Sequence, residues 1–482
     1  MKILKRLGVV ALLLVFFAYG AYLGRHELTR MQEQLPSFTA AAGETQQVRI
    51  EMQDGVKLFT SVMLPEGEGP FPSVLLRNPY ARFTPIMRDT LCGRFIRYGY
   101  ACVLQDVRGQ GESEGEWSPM VNEVRDGRDT ISWLVEQPFQ DGNIAMVGPS
   151  YLASVQYAVA ASGLPSEVKT LVPAVYTTDL STILYSNGMF RHETFTAWAS
   201  MMRDSNSEAD DAGGDYHKAI RHLPHNKVDT AVFGLPMPWY QDMIDIERAK
   251  STLFNNPDAR LMNQVPENID VPILMVSGWY DVFFGGQMAD WERLATRSSS
   301  RFVLGPWTHA GASGEAFEIE NAQGGLFQWK EMLPWLDHHL KGQPLTNPPG
   351  LYTFTMGENE WHFYEEWPGP TTSKIFSLND LPDSPSCDGG KLAFKKDSSG
   401  PVSYVYDPLD PVPTMGGAGM LAFILPGFEG AAPANVLQEG LCNRADVLSF
   451  VTPPLDASLL IAGEIRVNLE IASSAPDTAF TA

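Results

Sequence analysis

Short uninterrupted apolar runs punctuate the first third of the chain. Residues 72–77 (PSVLLR), 100–106 (YACVLQD) and 143–148 (NIAMVG) show little alternation and read as strands buried on both faces. Between them, residues 86–98 and 123–136 carry helical patterns. In the second, Val124, Ile131, Leu134 and Val135 oppose Arg125, Asp126 and Arg128. Upstream, VRIEMQ alternates apolar and polar residues and KLFTSVML does so less cleanly. They flank Asp54-Gly55, which predicts two strands around a turn over residues 46–64. Short apolar strands alternating with helices predict a parallel sheet covered on both faces.

Two further runs of this kind come much later, at 272–278 (PILMVSG) and 301–305 (RFVLG). The stretch between has a different texture, mainly helical, with Trp198, Met201, Met202, Trp239 and a small polar patch, SNSEADDAGGD. An insertion of this sort commonly builds a cap over an active site. Residues 46–176 and 270–342 then form two halves of one α/β domain, with a helical cap at 177–269. After a Pro- and Asn-rich linker at 343–350 the chain becomes strand-like, in runs such as LYTFTM, KIFSL, VLSFVT, SLLIAG and IRVNLEIA. Residues 350–482 therefore read as a separate all-β domain. No internal repeat is visible.

Composition changes the picture in three places. Asp and Glu number 57 against 35 Lys and Arg, a formal charge of -22, which argues against nucleic acid as a partner. Lys2, Lys5 and Arg6 precede an uncharged run over residues 7–24, which reads as an export signal with Ala18 and Gly20 near a cleavage site. The run is also long enough for an uncleaved membrane anchor, so the protein is expected to be periplasmic, secreted or membrane-anchored. The cysteines, Cys92, Cys102, Cys387 and Cys442, form no CxxC pair and give no support to a zinc site. Export permits disulfides; all three pairings and free thiols stay open, with Cys387–Cys442 the first pair to check.

The chemistry is carried by three strand ends. The strand ending at Val147 leads through Gly148-Pro149 to Ser150 and then to the helical run YLASVQYAVAA. Such a strand–turn–helix pushes a serine Oγ out above a sheet and aims the following backbone N–H, that of Tyr151, at a developing oxyanion. The usual pattern has Gly at the position of Leu152, and a helix N-cap is the competing reading of Ser150. Asp281 follows the strand of PILMVSG, and His309 follows that of RFVLG. Parallel strands bring all three side chains to one edge, in the order Ser…Asp…His. A weak hydroxyl nucleophile needs an imidazole to take its proton, and a carboxylate to fix that imidazole. His338-His339 lacks a metal-binding context and reads as packing; Arg108 and its Gly-rich loop read as scaffolding.

These residues resemble the cocaine esterase and X-Pro dipeptidyl-peptidase-like family of serine hydrolases. The matching stretches are RNPYAR (77–82), GYACVLQDVRGQGESEGEW (99–117), GPSYLASVQY (148–157), SGWYDVF (277–283) and GPWTH (305–309). The resemblance runs from about residue 46 to the end. It implies an α/β-hydrolase domain with an inserted helical cap, followed by a C-terminal jelly-roll β domain. That domain is expected to be incomplete, since the family's usually extends further. The family's nucleophile falls on Ser150, its acid on Asp281, its base on His309, and its second oxyanion donor on the hydroxyl of Tyr80. Ala153 stands where the family often has Gly.

The implied reaction is acyl transfer to water through an acyl-enzyme, with no metal or organic cofactor. The expected substrate is a small ester or amide, or a short peptide. Carboxylesterase or acylase is favoured over Xaa-Pro dipeptidyl-peptidase. A peptidase would need carboxylates for a free amine, and the cap offers Asp179, Asp204, Glu208, Asp210 and Asp211. A catalytically disabled binding module is the reading from a different class. The oligomeric state is not legible.

Overall fold

The computed structural model describes residues 24–481 except 204–211, 251–252, 254–261, 315, 317–318, 321, 323–324, 326, 381–388, 396–399, 421–424, 426, 431–432 and 439. The expected export segment lies almost wholly outside the described residues, as do Cys387, Asp204, Glu208, Asp210 and Asp211. Among the described residues no helix is long and apolar enough to cross a membrane.

The chain divides into two units, residues 1–362 with 415–437, and residues 363–414 with 438–482. The first is built on a ten-stranded sheet. Its strands are β1 (Ala42–Glu51), β2 (Lys57–Pro65), β3 (Phe71–Asn78), β4 (Ala101–Asp106), β5 (Gln140–Pro149) and β6 (Val168–Ala174). A two-stranded hairpin follows, β7 (Tyr185–Ser186) with β8 (Met189–Phe190). The large sheet then resumes with β9 (Leu274–Tyr280), β10 (Arg301–Thr308), β11 (Gly350–Thr355) and β12 (Glu360–Tyr364). The order across it is β1-β2-β4-β3-β5-β6-β9-β10-β11-β12.

The hairpin around Asp54-Gly55 forms as expected, with Ile50 opposite Leu58 and Glu51 opposite Lys57. From β4 through β3, β5, β6, β9 and β10 to β11 the pairings are parallel. The buried runs of the sequence fill this middle: Val74, Leu76, Cys102, Leu104, Ala145, Val147, Leu274, Val276 and Val303 share one core. Helix α1 (Glu123–Val135) packs on α2 (Tyr151–Ala161), and α2 packs on β3, β5 and β6. Later come α3 (His192–Met202), α4 (Ala212–Ala219), α5 (Phe284–Arg293) and α6 (Trp329–Lys341). The last contributes Met332, Leu333, Trp335 and Leu336 to the core.

Three features go beyond the sequence pattern. LYTFTM supplies β11, which pairs in parallel with β10 (Val303 opposite Tyr352) and so joins the ten-stranded sheet. Residues 415–437, well inside the β region, belong to the first unit. There the Ala316 amide donates to the Asn435 carbonyl oxygen and Oδ1 at 3.1 and 3.0 Å, and the Met420 amide donates to the Glu193 carboxylate at 3.1 Å. Among the described residues the second unit holds a three-stranded sheet, β13 (Ser377–Asn379), β14 (Gly390–Ala393) and β15 (Phe450–Val451). The apolar runs around Leu460 and Val467 form no strand there: a strand needs a hydrogen-bonded neighbour, and their side chains stay exposed.

Cys92 and Cys102 are joined in a disulfide, which ties the segment before residue 93 to β4, and Cys442 is disulfide-bonded as well. His339 packs against Trp335, ring centroids 4.4 Å apart, in keeping with a packing role. Arg108 meets the Asp126 carboxylate with two hydrogen bonds, 2.9 and 2.7 Å, and pairs with Asp54 at 2.9 Å. It thereby pins the Gly-rich loop to α1 and to the β1–β2 turn.

Candidate active site

β5 ends at Pro149 and α2 begins at Tyr151, leaving Ser150 alone at the corner. Its backbone sits at φ 56° and ψ -124°, a conformation unfavourable for any residue but glycine. The Ser150 amide donates to the Ala174 carbonyl at 2.9 Å, anchoring the corner to β6, while the side chain makes no capping hydrogen bond. The helix-cap reading of Ser150 therefore fails. The corner tolerates Leu152 because the glycine lies on the other side of it. A Cβ on Gly148, at φ +151°, would stand 2.3 Å from the Leu152 Cβ. Ala153 is fully buried beneath the turn.

Asp281 and His309 emerge from the ends of β9 and β10, neighbouring parallel strands. His309 Nδ1 lies 2.7 Å from Asp281 Oδ2, and both residues are buried. A carboxylate can only accept, so Nδ1 carries the hydrogen and Nε2 is left as the basic nitrogen. The other carboxylate oxygen accepts from the Phe283 amide at 2.8 Å, so Asp281 is held from two sides. The Phe283 ring packs edge-on to the imidazole at 5.4 Å.

Tyr80 follows β3 on a turn fixed by Asn78. The Asn78 side chain accepts from the Tyr80 amide at 3.0 Å and donates to the Tyr80 carbonyl at 3.0 Å and to Thr84 Oγ1 at 2.9 Å. Thr84 in turn donates to Asp106 at 2.5 Å. Burial pushes the Asp106 carboxyl up to about 6, against the pull of the Thr84 hydrogen bond. The Tyr80 hydroxyl is surrounded by the Ser150 side chain, the Trp198 side chain and the Tyr151 backbone. Burial raises its pKa above the ordinary phenol value, and hydrogen bonding from those three groups partly offsets the rise. Ser150, Tyr80 and Tyr151 are thus brought together, and Asp281 with His309.

Two groups stand here that the sequence did not single out as functional. Trp198, from α3, packs against Tyr151 (centroids 6.2 Å apart), Trp117 (5.6 Å) and Trp239 (5.3 Å). This aromatic wall stands beside the serine corner. Glu123, at the start of α1, accepts a hydrogen bond from the Tyr151 hydroxyl at 2.9 Å. A run of tryptophans in an insert and an acid at a helix start gave no signal stronger than ordinary packing and capping.

Of the cap carboxylates weighed as amine ligands, Asp179 is described, and it caps a helix by accepting from the Ser181 and Thr182 amides. Among the described residues, Glu358, Glu360 and His362 could bring three ligand atoms within 4.8 Å of one another. They lie at the surface with Glu358 already paired to His362 at 3.0 Å, and nothing points them at an ion.

Residues 54–311 match the X-Pro dipeptidyl-peptidase (S15 family), and residues 345–482 match the X-Pro dipeptidyl-peptidase C-terminal non-catalytic domain. The chain is 29% identical to cocaine esterase of Rhodococcus sp. (strain MB1 Bresler) over 470 residues, covering 90% of this chain and 79% of that protein. Among solved structures, an aminopeptidase from the marine sediment archaeon Thaumarchaeota archaeon superposes with a TM-score of 0.62 at 26% identity, over 78% of this chain and 67% of the other. An alpha-amino acid ester hydrolase at 24% identity shares the fold, with a TM-score of 0.67 over 87% of this chain and 74% of the other.

Proposed function

We propose a Ser-His-Asp mechanism for this chain, which belongs to the X-Pro dipeptidyl-peptidase (S15) family and is a hydrolase of ester or amide bonds. Ser150 is the nucleophile. His309 Nε2 takes the hydroxyl proton as Oγ attacks the substrate carbonyl, and Asp281 stabilises the imidazolium that forms. The carbonyl oxygen gains negative charge between the Tyr151 amide and the Tyr80 hydroxyl. The imidazolium then protonates the leaving group, and water releases the acyl group by the same steps in reverse roles. The observation that carries this reading is the Ser150 backbone, strained at φ 56° with no capping role to account for the strain.

Esterase or acylase is the favoured activity. The wall of Trp117, Trp198 and Trp239 beside Tyr151 suits an apolar or aromatic acyl group. Asp179, one of the cap carboxylates weighed as an amine ligand, is engaged as a helix cap. The family match to X-Pro dipeptidyl-peptidases supports the alternative, cleavage of a dipeptide ending in proline. The basic and apolar start of the sequence supports export or membrane anchorage.

Hydrolysis of p-nitrophenyl esters by wild type and Ser150→Ala tests the mechanism. The variant is expected to lose turnover and fluorophosphonate labelling while its circular dichroism stays unchanged; retained turnover removes Ser150 from the mechanism. A parallel panel of Xaa-Pro-anilides separates the two activities, since an esterase should leave them uncut.

A further inference from the structure

Resting on the reading of Ser150 as nucleophile, we propose that Glu123 is a positioning residue that ties together the two segments carrying the oxyanion donors. Its carboxylate reaches both. Oε1 accepts a hydrogen bond from the Tyr151 hydroxyl at 2.9 Å, and Oε2 lies 3.0 Å from Nη1 of Arg77 as an ion-pair contact that is not a hydrogen bond, the Nη1 hydrogen bond going to the Glu123 carbonyl instead. Tyr151 is the residue whose amide faces the oxyanion. Arg77 is the root of the turn that ends in Tyr80. One side chain on α1 therefore braces the donor after β5 and the donor after β3.

Each end of the brace is fixed. The Tyr151 hydroxyl, besides donating to Glu123, accepts from the Met120 amide at 2.8 Å, so the phenol has one orientation. The Arg77 guanidinium donates from Nε to Gln105 Oε1 at 2.8 Å and from Nη1 to the Glu123 carbonyl at 3.1 Å. Gln105 is itself held by the Thr130 hydroxyl at 2.9 Å. Glycine at 127 leaves the space: a Cβ there would stand 3.1 Å from Arg77 Nη1 and 2.4 Å from Val159.

Stability alone is a poor reason for this arrangement. Arg77 and Glu123 are both buried, with side-chain exposures of 0% and 5%. A buried ion pair gains little over apolar residues of the same volume, because each charge has given up its water. What such a pair does provide is a fixed geometry. The oxyanion donors act only when preorganised around the reacting oxygen, and displacement of the order of an ångström costs about a hundredfold in rate. Tyr151 carries both the amide that faces the oxyanion and the hydroxyl that Glu123 holds.

Tyr151→Phe separates the two. It keeps the ring, its packing on Trp198 and the backbone N–H, and removes only the hydroxyl that Glu123 holds. The full chain, its Ser150→Ala, Tyr151→Phe and Glu123→Gln variants and the Tyr151→Phe/Glu123→Gln double variant are compared. Turnover of a p-nitrophenyl ester is divided by the sites titrated with a fluorophosphonate, and Tm is recorded for each. The expected result for Tyr151→Phe is a kcat per titrated site lower by about tenfold or more, with KM changed much less. Glu123→Gln should act in the same direction, and the double variant should be no slower than the slower single, because both break one brace. An unchanged kcat per site in Tyr151→Phe, with only Tm lowered, overturns the proposal. If Glu123→Gln does not fold, Tyr151→Phe, which keeps both charges, decides alone. Failure of the underlying reading looks different: wild type would go unlabelled or Ser150→Ala would keep its turnover.

Discussion

At the scale of single residues the site is a contest over where hydrogens point. A serine hydroxyl on an ordinary helix start would turn inward and cap the helix. Ser150 does not, because its φ of 56° aims the side chain away from the free amides of α2 and leaves it beside Tyr80. Tyr80 as oxyanion donor must keep its proton, and burial works for it, holding the phenol pKa above its ordinary value of 10.0. Tyr80→Phe should lower kcat on the order of a hundredfold and leave KM nearly unchanged, as removal of an oxyanion donor does. Steady-state kinetics on one ester checks this; an unaltered kcat would take Tyr80 out of the reaction. The pH–rate profile of wild type should show no loss of a donor below about pH 10, since raising the phenol pKa moves its deprotonation to higher pH.

At the scale of elements, the strand ends decided what could be read. Ser150, Asp281 and His309 were legible because each follows a short apolar run and a glycine-containing turn, and parallel strands deliver such positions to one edge. Glu123 and Trp198 were not, because their partners are set by how α1 and α3 pack rather than by local pattern. The pairing of β11 with β10 was not legible for a related reason: LYTFTM alternates, and pattern alone does not say which sheet will take it. Asp179 shows the converse. A cap carboxylate looked like a candidate amine ligand, but it accepts from Ser181 and Thr182 at the start of a five-residue helix. Asp179→Ala should lower stability by about 1 kcal/mol, the usual worth of an N-cap. It should not change the ratio of kcat/KM for Xaa-Pro-anilides to that for esters. Thermal denaturation and the two assays test both halves, and a selective loss of anilide turnover would make Asp179 an amine anchor after all.

At the scale of the whole molecule, acid stability follows from what the fold buries neutral. Burial lowers His26, His192 and His339 from an ordinary 6.5 to about 4, helped by neighbouring cationic or imidazole groups. Unfolding releases each to its ordinary value, so between about 6.5 and about 4 the unfolded chain binds protons that the folded chain refuses. Stability is therefore lost as the pH falls through that window and is unaffected by these groups above it. Asp106 acts oppositely: with its carboxyl raised from 3.8 to about 6, the folded state holds the extra proton, and this adds stability as the pH falls from about 6 toward 3.8. Burial likewise raises Glu123 and Asp290 and likewise lowers His225, so the slope of Tm against pH is the balance of both kinds of group. His339→Gln removes one of the lowered imidazoles without removing a described ion pair, and relative to wild type should raise Tm at about pH 4.5 compared with its value above pH 7. Differential scanning calorimetry of the two proteins across that range reads the difference directly. Parallel curves would mean that His339 titrates alike in both states, and that its contact with Trp335 does not shield it from protons.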